Sequence, residues 1–163
     1  LGSHRKLKNI DSGHINFMKI LFVCRGNVGR SQIAEVIFNK NAGDDLRAFS
    51  AGTWVKDKDG MSMHGKKLSD FTAANEVLAS LREIGIDARE QKRDQINEEM
   101  VEEADVIVVM AEEHTIPEFL KSSPKIRYWE IADPKGMDQD ATNKIRDQIS
   151  NLVLELLTDL QSK

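Results

Sequence analysis

One segment near the start of the chain constrains the fold more than any other, because it joins a buried-strand pattern to a helix pattern through a short loop. Residues 18–23 are mostly apolar, residues 24–31 read CRGNVGRS, and residues 31–41 place apolar side chains on one helical face. A helix that begins directly after a loop leaves backbone N–H groups unpaired at the positive end of its dipole. The order strand, loop and helix therefore predicts an anion-binding loop.

The chemistry of this loop depends on Cys24 and Arg30. Cys24 ends the predicted strand, where the free N–H groups and the helix dipole favour a thiolate over a thiol. The planar guanidinium of Arg30 can bind two oxygens of a tetrahedral oxyanion if the loop curls back. The alternatives are an inert buried cysteine and an ordinary surface arginine. Together the two residues indicate a nucleophile beside an anion receptor.

The other loop residues fit the same interpretation. Gly26 and Gly29 allow the backbone to approach an anion closely, and Asn27 tolerates a left-handed conformation. The hydroxyl of Ser31 can cap the helix or donate to Cys24. Arg25 either favours an acidic or doubly anionic ligand or is simply solvated. The residues expected to contact the anion are Arg25, Gly26, Asn27, Val28, Gly29, Arg30 and Ser31.

The rest of the chain alternates between strand and helix patterns. Further strands are predicted at residues 46–50, 106–110 and 126–131, and helices at residues 74–84, at 112–121 and in a long C-terminal segment that begins before Ile145. Pro117 should weaken the middle of the 112–121 helix or displace its start. This order predicts one doubly wound α/β domain, a central four-stranded parallel sheet with helices on both faces and the phosphate-binding loop after the first strand. Ligands of such sheets bind at the carboxyl ends of the strands, where the Cys24 loop and Asp133 should both lie.

Composition excludes several classes of protein. The chain has 163 residues, a formal charge of −4 and one cysteine, so we expect one globular domain without an internal disulfide. We expect no nucleic-acid partner, no membrane partner and a cytoplasmic location. Residues 1–17 carry a local excess of positive charge and begin with Leu-Gly-Ser-His, which predicts an expression tag or a disordered arm, whereas a native basic arm is the alternative. The folded domain is then residues 18–163.

Residues 20–38, ILFVCRGNVGRSQIAEVIF, resemble the signature of the low-molecular-weight protein tyrosine phosphatase family and of the arsenate reductases that share its fold. The similarity continues through residues 50–53, 84–87 and 104–110 to Asp133-Pro134. It implies a phosphocysteine intermediate on Cys24, phosphate binding by Arg30, and Asp133 as general acid and base.

The resemblance also implies supporting residues. Ser50 should be the partner of Asn27, and Trp54 should form an apolar wall of the site unless it is a core tryptophan. His64 is expected to be exposed, and the sequence predicts neither a metal site nor a cofactor.

Three departures leave the activity open. Lys135-Gly136-Met137 replaces the aromatic residues that usually follow Asp-Pro in the phosphatases, and Tyr128-Trp129 is more similar to the arsenate reductase branch. Gly29 replaces a second loop cysteine, and the sequence also lacks the two further cysteines that thioredoxin-coupled arsenate reductases need, so we expect no internal cysteine relay. The favoured function is a phosphomonoesterase acting on a phosphorylated protein or a small aryl phosphate. The alternatives are an arsenate reductase that uses an external thiol or partner protein, and a phosphate-binding or phosphopeptide-binding module without turnover.

Overall fold

A computed structural model of the chain describes residues 16–162. Most of the arm predicted at residues 1–17 lies outside the described residues. The Phe17 ring stacks on the Phe49 ring, with centroids 6.3 Å apart. The chain thus already contacts the sheet one residue before the first strand begins.

The four strands form one parallel sheet, which confirms the predicted fold class. In chain order they are β1 (Met18–Cys24), β2 (Leu46–Gly52), β3 (Val106–Val109) and β4 (Ile126–Tyr128). Their order across the sheet is β2-β1-β3-β4, so β1 and β3 are central. Because β1 connects to β2 on one side and pairs with β3 on the other, the strand order reverses next to Cys24, where doubly wound sheets bind their ligands.

Helices cover both faces of the sheet. They are α1 (Arg30–Asn41), α2 (Asn75–Glu83), α3 (Glu98–Glu103), α4 (Glu118–Lys121) and α5 (Gln139–Gln161). Successive side chains of a strand point to opposite faces, so Ile20 and Phe22 pack in the core beneath α1, α2 and α5, whereas Leu21 and Val23 pack beneath α3 and α4. This two-sided burial explains why β1 is apolar at every position from Ile20 to Val23.

The structure corrects two predicted elements and adds a third that was not predicted. Residues 112–121 do not form one helix: a 3₁₀ turn covers Glu113–Thr115, and Pro117 is the N-cap residue of the short α4. The last strand ends at Tyr128 and not at residue 131. Helix α3 was not predicted, although Asn97 caps it by accepting a hydrogen bond from the backbone N–H of Met100.

Among the described residues, no helix is both long enough and apolar enough to cross a membrane.

Gly52 ends β2 and lies directly against the loop that follows β1. A Cβ atom at this position would come within 2.6 Å of the Arg25 carbonyl oxygen and 2.7 Å of the Val55 side chain. The first of these neighbours is backbone and cannot rotate away. Gly52 therefore permits the close approach of β2 to the loop that begins at Cys24.

We expect Gly52→Ala to lower the free energy of unfolding by about 2–3 kcal/mol, because the added methyl group must displace backbone. The measurement is urea denaturation of the variant and of wild type. Gly43→Ala is the control, since its Cβ would meet only a carboxylate oxygen of the exposed Asp45 at 3.3 Å. Equal stabilities of the two variants would show that the contact at Gly52 does not constrain the loop.

Candidate active site

Cys24 lies at the carboxyl end of β1, at the bottom of a cavity of about 420 Å³. The thiol-bearing residue is 2% exposed. Residues 25–29 form the loop, and α1 begins at Arg30 with Gly29 as its N-cap. The strand, loop and helix are thus arranged as the sequence predicts, with the first amides of α1 at the loop.

The loop conformation depends on Asn27, which has a φ of 56° and is fully buried. Its Oδ1 accepts a hydrogen bond of 2.8 Å from the backbone N–H of Asp94. Because a backbone N–H can only donate, this contact fixes which side of the Asn27 amide is oxygen. Nδ2 therefore donates to Ser31 Oγ at 2.7 Å and to Ser50 Oγ at 3.0 Å.

The direction of these bonds determines where the hydroxyl protons point. Since Ser31 Oγ accepts from Asn27, its own proton is free for Cys24 Sγ, 3.0 Å away. The Ser31 hydroxyl can therefore donate to the Cys24 sulfur. The alternative role of Ser31 as N-cap is wrong, since α1 has no side-chain cap and Ser31 lies inside the helix.

Ser50 continues the network away from the cavity. It accepts from Asn27, as the resemblance implies, and its hydroxyl donates to Glu35 Oε1 at 2.6 Å. Gln91 donates to Glu35 Oε2 at 2.8 Å and to the side-chain oxygen of Gln32 at 3.2 Å, and Gln32 donates back to Asn27 Oδ1 at 3.1 Å. Burial raises the pKa of Glu35, and the hydrogen bonds from Ser50 and Gln91 act against that increase. The result is a closed ring of side chains around Asn27.

The guanidinium of Arg30 is 2% exposed and is held from three sides. Its Nη1 donates to the carbonyl oxygens of Met110 at 2.7 Å and Ile131 at 3.1 Å, and to Glu112 Oε2 at 2.9 Å. Burial acts to lower the pKa of Arg30, but the hydrogen bond with Glu112 and the charges of Cys24, Glu112 and Asp133 raise it overall. Sequence reasoning missed Glu112, because nothing in its position along the chain indicates that it lies near Arg30.

Asp133 and Pro134 lie over the phosphate-binding loop. Asp133 Oδ2 is 3.8 Å from Arg30 Nη2, and Oδ1 accepts from the backbone N–H of Lys135 at 3.0 Å. The carboxylate is half exposed and lines the cavity. A Cβ atom at Gly29 would lie 2.8 Å from the Pro134 ring. The missing side chain at Gly29 therefore leaves the space that Pro134 occupies.

The cavity walls include further residues that the sequence singled out and several that it did not. Trp54 is 47% exposed and lines the cavity, and the Lys56 ammonium lies 4.3 Å from its ring centroid, so the core alternative for Trp54 is wrong. Arg25 is exposed and also lines the cavity. Among the residues that sequence reasoning missed is Arg93, a buried arginine beside the loop. No sequence motif identifies it.

His64 is exposed, and its Nδ1 accepts from the backbone N–H of Gln95. Across residues 16–162, no group of three His, Cys, Asp or Glu side chains is placed to hold a metal ion.

Comparison with known proteins identifies the family. Residues 19–163 match the model of the low molecular weight phosphotyrosine protein phosphatase family, and the chain belongs to this family. An arsenate reductase from Halalkalibacterium halodurans is 30% identical over 146 residues, which cover 85% of this chain and 94% of that protein.

Solved structures include both phosphatases and reductases. The structure of a low molecular weight protein tyrosine phosphatase from T. tengcongensis superposes with a TM-score of 0.69 at 31% identity, covering 87% of this chain and 99% of that one. An arginine phosphatase from Geobacillus stearothermophilus has a TM-score of 0.70 at 24% identity, covering 89% of this chain and 94% of that one, and shares the fold. The chain is therefore an enzyme of this family, either a phosphatase or an arsenate reductase.

We expect Glu112→Gln to lower the free energy of unfolding at neutral pH by about 1 kcal/mol, because the variant loses the ion pair with Arg30. The loss is modest because Glu112 is partly exposed to solvent. The hydrogen bond from Arg30 lowers the pKa of Glu112 from its ordinary value of 4.5. A carboxylate whose pKa is lowered by folding stabilises the folded state at pH values above its ordinary pKa. It loses that effect as the pH falls through the lowered pKa. The difference between wild type and variant should therefore shrink in acid.

Urea denaturation at neutral and acidic pH measures this difference. Glu113→Gln is the matched control, because Glu113 is exposed and forms no ion pair with the described residues. A stability difference for Glu112→Gln that does not change with pH would contradict the assigned pair.

Proposed function

We propose that the protein is a phosphomonoesterase that hydrolyses phosphotyrosine in proteins or small aryl phosphates through a phosphocysteine intermediate. The observation that carries the proposal is that Cys24, Arg30 and Asp133 line one cavity in a chain with one cysteine. Ester hydrolysis needs one thiol and one acid–base group, which this set provides. Arsenate reduction needs further thiols, which this chain does not contain.

In the first step, the Cys24 sulfur attacks phosphorus while the bond from phosphorus to the ester oxygen breaks. The proton of Asp133 passes to the leaving oxygen. Loop N–H groups and Arg30 hold the three remaining phosphoryl oxygens as charge shifts between them. The contacts from Met110, Ile131 and Glu112 keep Arg30 oriented before the substrate arrives.

In the second step, the Asp133 carboxylate takes a proton from water, and the water oxygen attacks phosphorus. The sulfur–phosphorus bond breaks, inorganic phosphate leaves, and the Cys24 sulfur leaves as a thiolate 3.0 Å from the Ser31 hydroxyl oxygen. Half exposure of Asp133 lets it contact both the leaving group and the solvent.

The cavity above Cys24 suits an aromatic ester. Trp54 and Phe71 both line it and offer ring faces to an aryl group. Both also contact a cation of the protein, Lys56 at 4.3 Å and Arg93 at 4.5 Å from the ring centroids. An aryl phosphate would thus meet both apolar surface and positive charge.

A second candidate function is arsenate reduction with an external thiol, which the names of curated relatives favour. Cys24 would displace water or hydroxide from arsenate to form a sulfur–arsenic bond. A small thiol would then attack the Cys24 sulfur, leaving an electron pair on arsenic and releasing arsenite, and a second thiol would reduce the mixed disulfide. The chain itself supplies neither of these thiols.

The test is a pair of assays on the purified protein. We expect hydrolysis of p-nitrophenyl phosphate in the presence of a metal chelator, and no arsenite formation from arsenate with a small thiol or a thioredoxin system. The physical reason is that the thiolate, loop amides and Arg30 stabilise the transferring group electrostatically.

Cys24→Ser is the control and should reduce hydrolysis to background. Phosphate binding without hydrolysis in the wild type would favour the binding-module alternative. Thiol-dependent arsenite formation that requires Cys24 would contradict the proposal in favour of the reductase.

The role of Asp133 is tested by Asp133→Asn with a series of aryl phosphates of different leaving-group acidity. If Asp133 protonates the leaving oxygen, kcat/KM, which reports the steps up to release of the phenol, should fall by about 10²–10⁴ for poor leaving groups and much less for acidic phenols. Steady-state kinetics across the series gives the slope of the logarithm of kcat/KM against the pKa of the leaving phenol. Asp138→Asn is a structural control, since Asp138 caps α5 by accepting from the backbone N–H of Ala141. An equal loss for all leaving groups would remove Asp133 from the acid role.

A further inference from the structure

Arg93 is a second buried arginine in the cavity of Cys24, and the mechanism above does not use it. The residue is 6% exposed. Its Nε donates to the carbonyl oxygen of Gly26 at 3.1 Å, and its guanidinium carbon lies 4.5 Å from the centroid of the Phe71 ring. These two contacts fix the guanidinium plane beside the phosphate-binding loop.

Arg93 differs from the other buried arginines because it has no carboxylate partner within residues 16–162. Arg30 pairs with Glu112 at 2.9 Å, and Arg146 pairs with Glu83 at 2.8 Å. The two terminal nitrogens of Arg93 have no acceptor among the described side chains and carbonyls. Burial lowers the pKa of Arg93, and the negative charge of Cys24 acts against this shift. An arginine stays charged in a protein, so these N–H groups need an anionic or polar ligand from the cavity.

Arg93 lines the same cavity as Cys24, and its Nε is occupied by the carbonyl of Gly26. Its two terminal nitrogens are therefore left for a ligand. The mechanism already assigns Arg30 and the loop amides to the phosphoryl oxygens at Cys24. The terminal N–H groups of Arg93 are thus available to another part of a bound substrate.

We propose that Arg93 binds a second anionic group of the substrate, a carboxylate carried close to the phosphorylated ring. This inference rests on the proposed function and narrows its substrate class to phosphomonoesters with a second negative charge. The charge of the cavity agrees with it, since six basic and three acidic side chains line the walls. An arginine presents paired N–H groups that match the two oxygens of a carboxylate.

The test uses phosphonates, which bind without turnover. Titration calorimetry would compare benzylphosphonate with its meta- and para-carboxyl derivatives and with their methyl esters, which have similar shape but lack the charge. We expect wild type to bind one carboxyl derivative about tenfold more tightly than its methyl ester, the gain typical of a charge-assisted hydrogen bond.

Two Arg93 variants and one control assign the effect. Arg93→Met keeps an unbranched side chain but removes the charge and the N–H groups, and it should remove the preference for the carboxylate. Arg93→Lys keeps the charge and should retain part of the preference. If the methionine variant does not fold, the reduced affinity difference between acid and ester in Arg93→Lys still tests the role of Arg93. Lys58→Met removes an exposed cation of the same cavity and should retain the preference.

The outcomes separate this inference from the proposed function. Equal binding of each acid and its ester by wild type, or a preference that survives in Arg93→Met, would overturn the role of Arg93 while leaving the phosphate site intact. Failure of every phosphonate to bind would overturn both.

Discussion

The hydrogen bond from the backbone N–H of Asp94 to Asn27 is the contact on which the site depends. It fixes the orientation of the Asn27 amide, whose Nδ2 then donates to the hydroxyl oxygens of Ser31 and Ser50. A left-handed residue other than glycine costs about 1 kcal/mol, and these bonds offset that cost. Because its donor is a backbone group, this contact does not titrate. The conformation of Asn27 is therefore held by a contact that does not depend on pH.

The site also depends on the orientation of Arg30, which contacts of the protein itself hold in place. Arg30 meets two carbonyl oxygens from segments that follow β3 and β4, and one carboxylate from the first of these segments. Parallel strands end at the same edge of the sheet, so segments that are far apart in sequence meet at the phosphate-binding loop. Pro134 fits against Gly29 at the same edge, which brings Asp133 over the loop. Sheet topology thus brings Cys24, Arg30 and Asp133 together at one edge of the sheet.

Much of this arrangement was predictable because it is local. The strand, loop and helix around Cys24 follow from apolar periodicity and glycine placement, and the left-handed Asn27 follows from its side chain. The predicted pairing of Asn27 with Ser50 is present, and Trp54 lies at the cavity as expected.

Other features were not predictable because they depend on contacts between distant segments. Glu112 and Arg93 are ordinary charged residues in the sequence, and only folding places one against Arg30 and the other against Gly26. Helix α3 has six residues, which is too short for apolar periodicity to distinguish it from a loop. Residues 112–121 are not one helix because α4 begins only after Pro117. The sequence indicated that Pro117 could displace the start of the helix, but it did not predict where the helix would begin.

The charge of the cavity has a kinetic consequence. The protein has a formal net charge of −4, yet basic side chains outnumber acidic ones around Cys24. A dianion that diffuses toward the molecule is repelled by most of the surface and attracted at this opening, so its productive encounters concentrate there. Salt screens both fields over a distance of about 10 Å at 0.1 M. Ionic strength should therefore act mainly on the association of substrate, and less on the chemical steps inside the cavity.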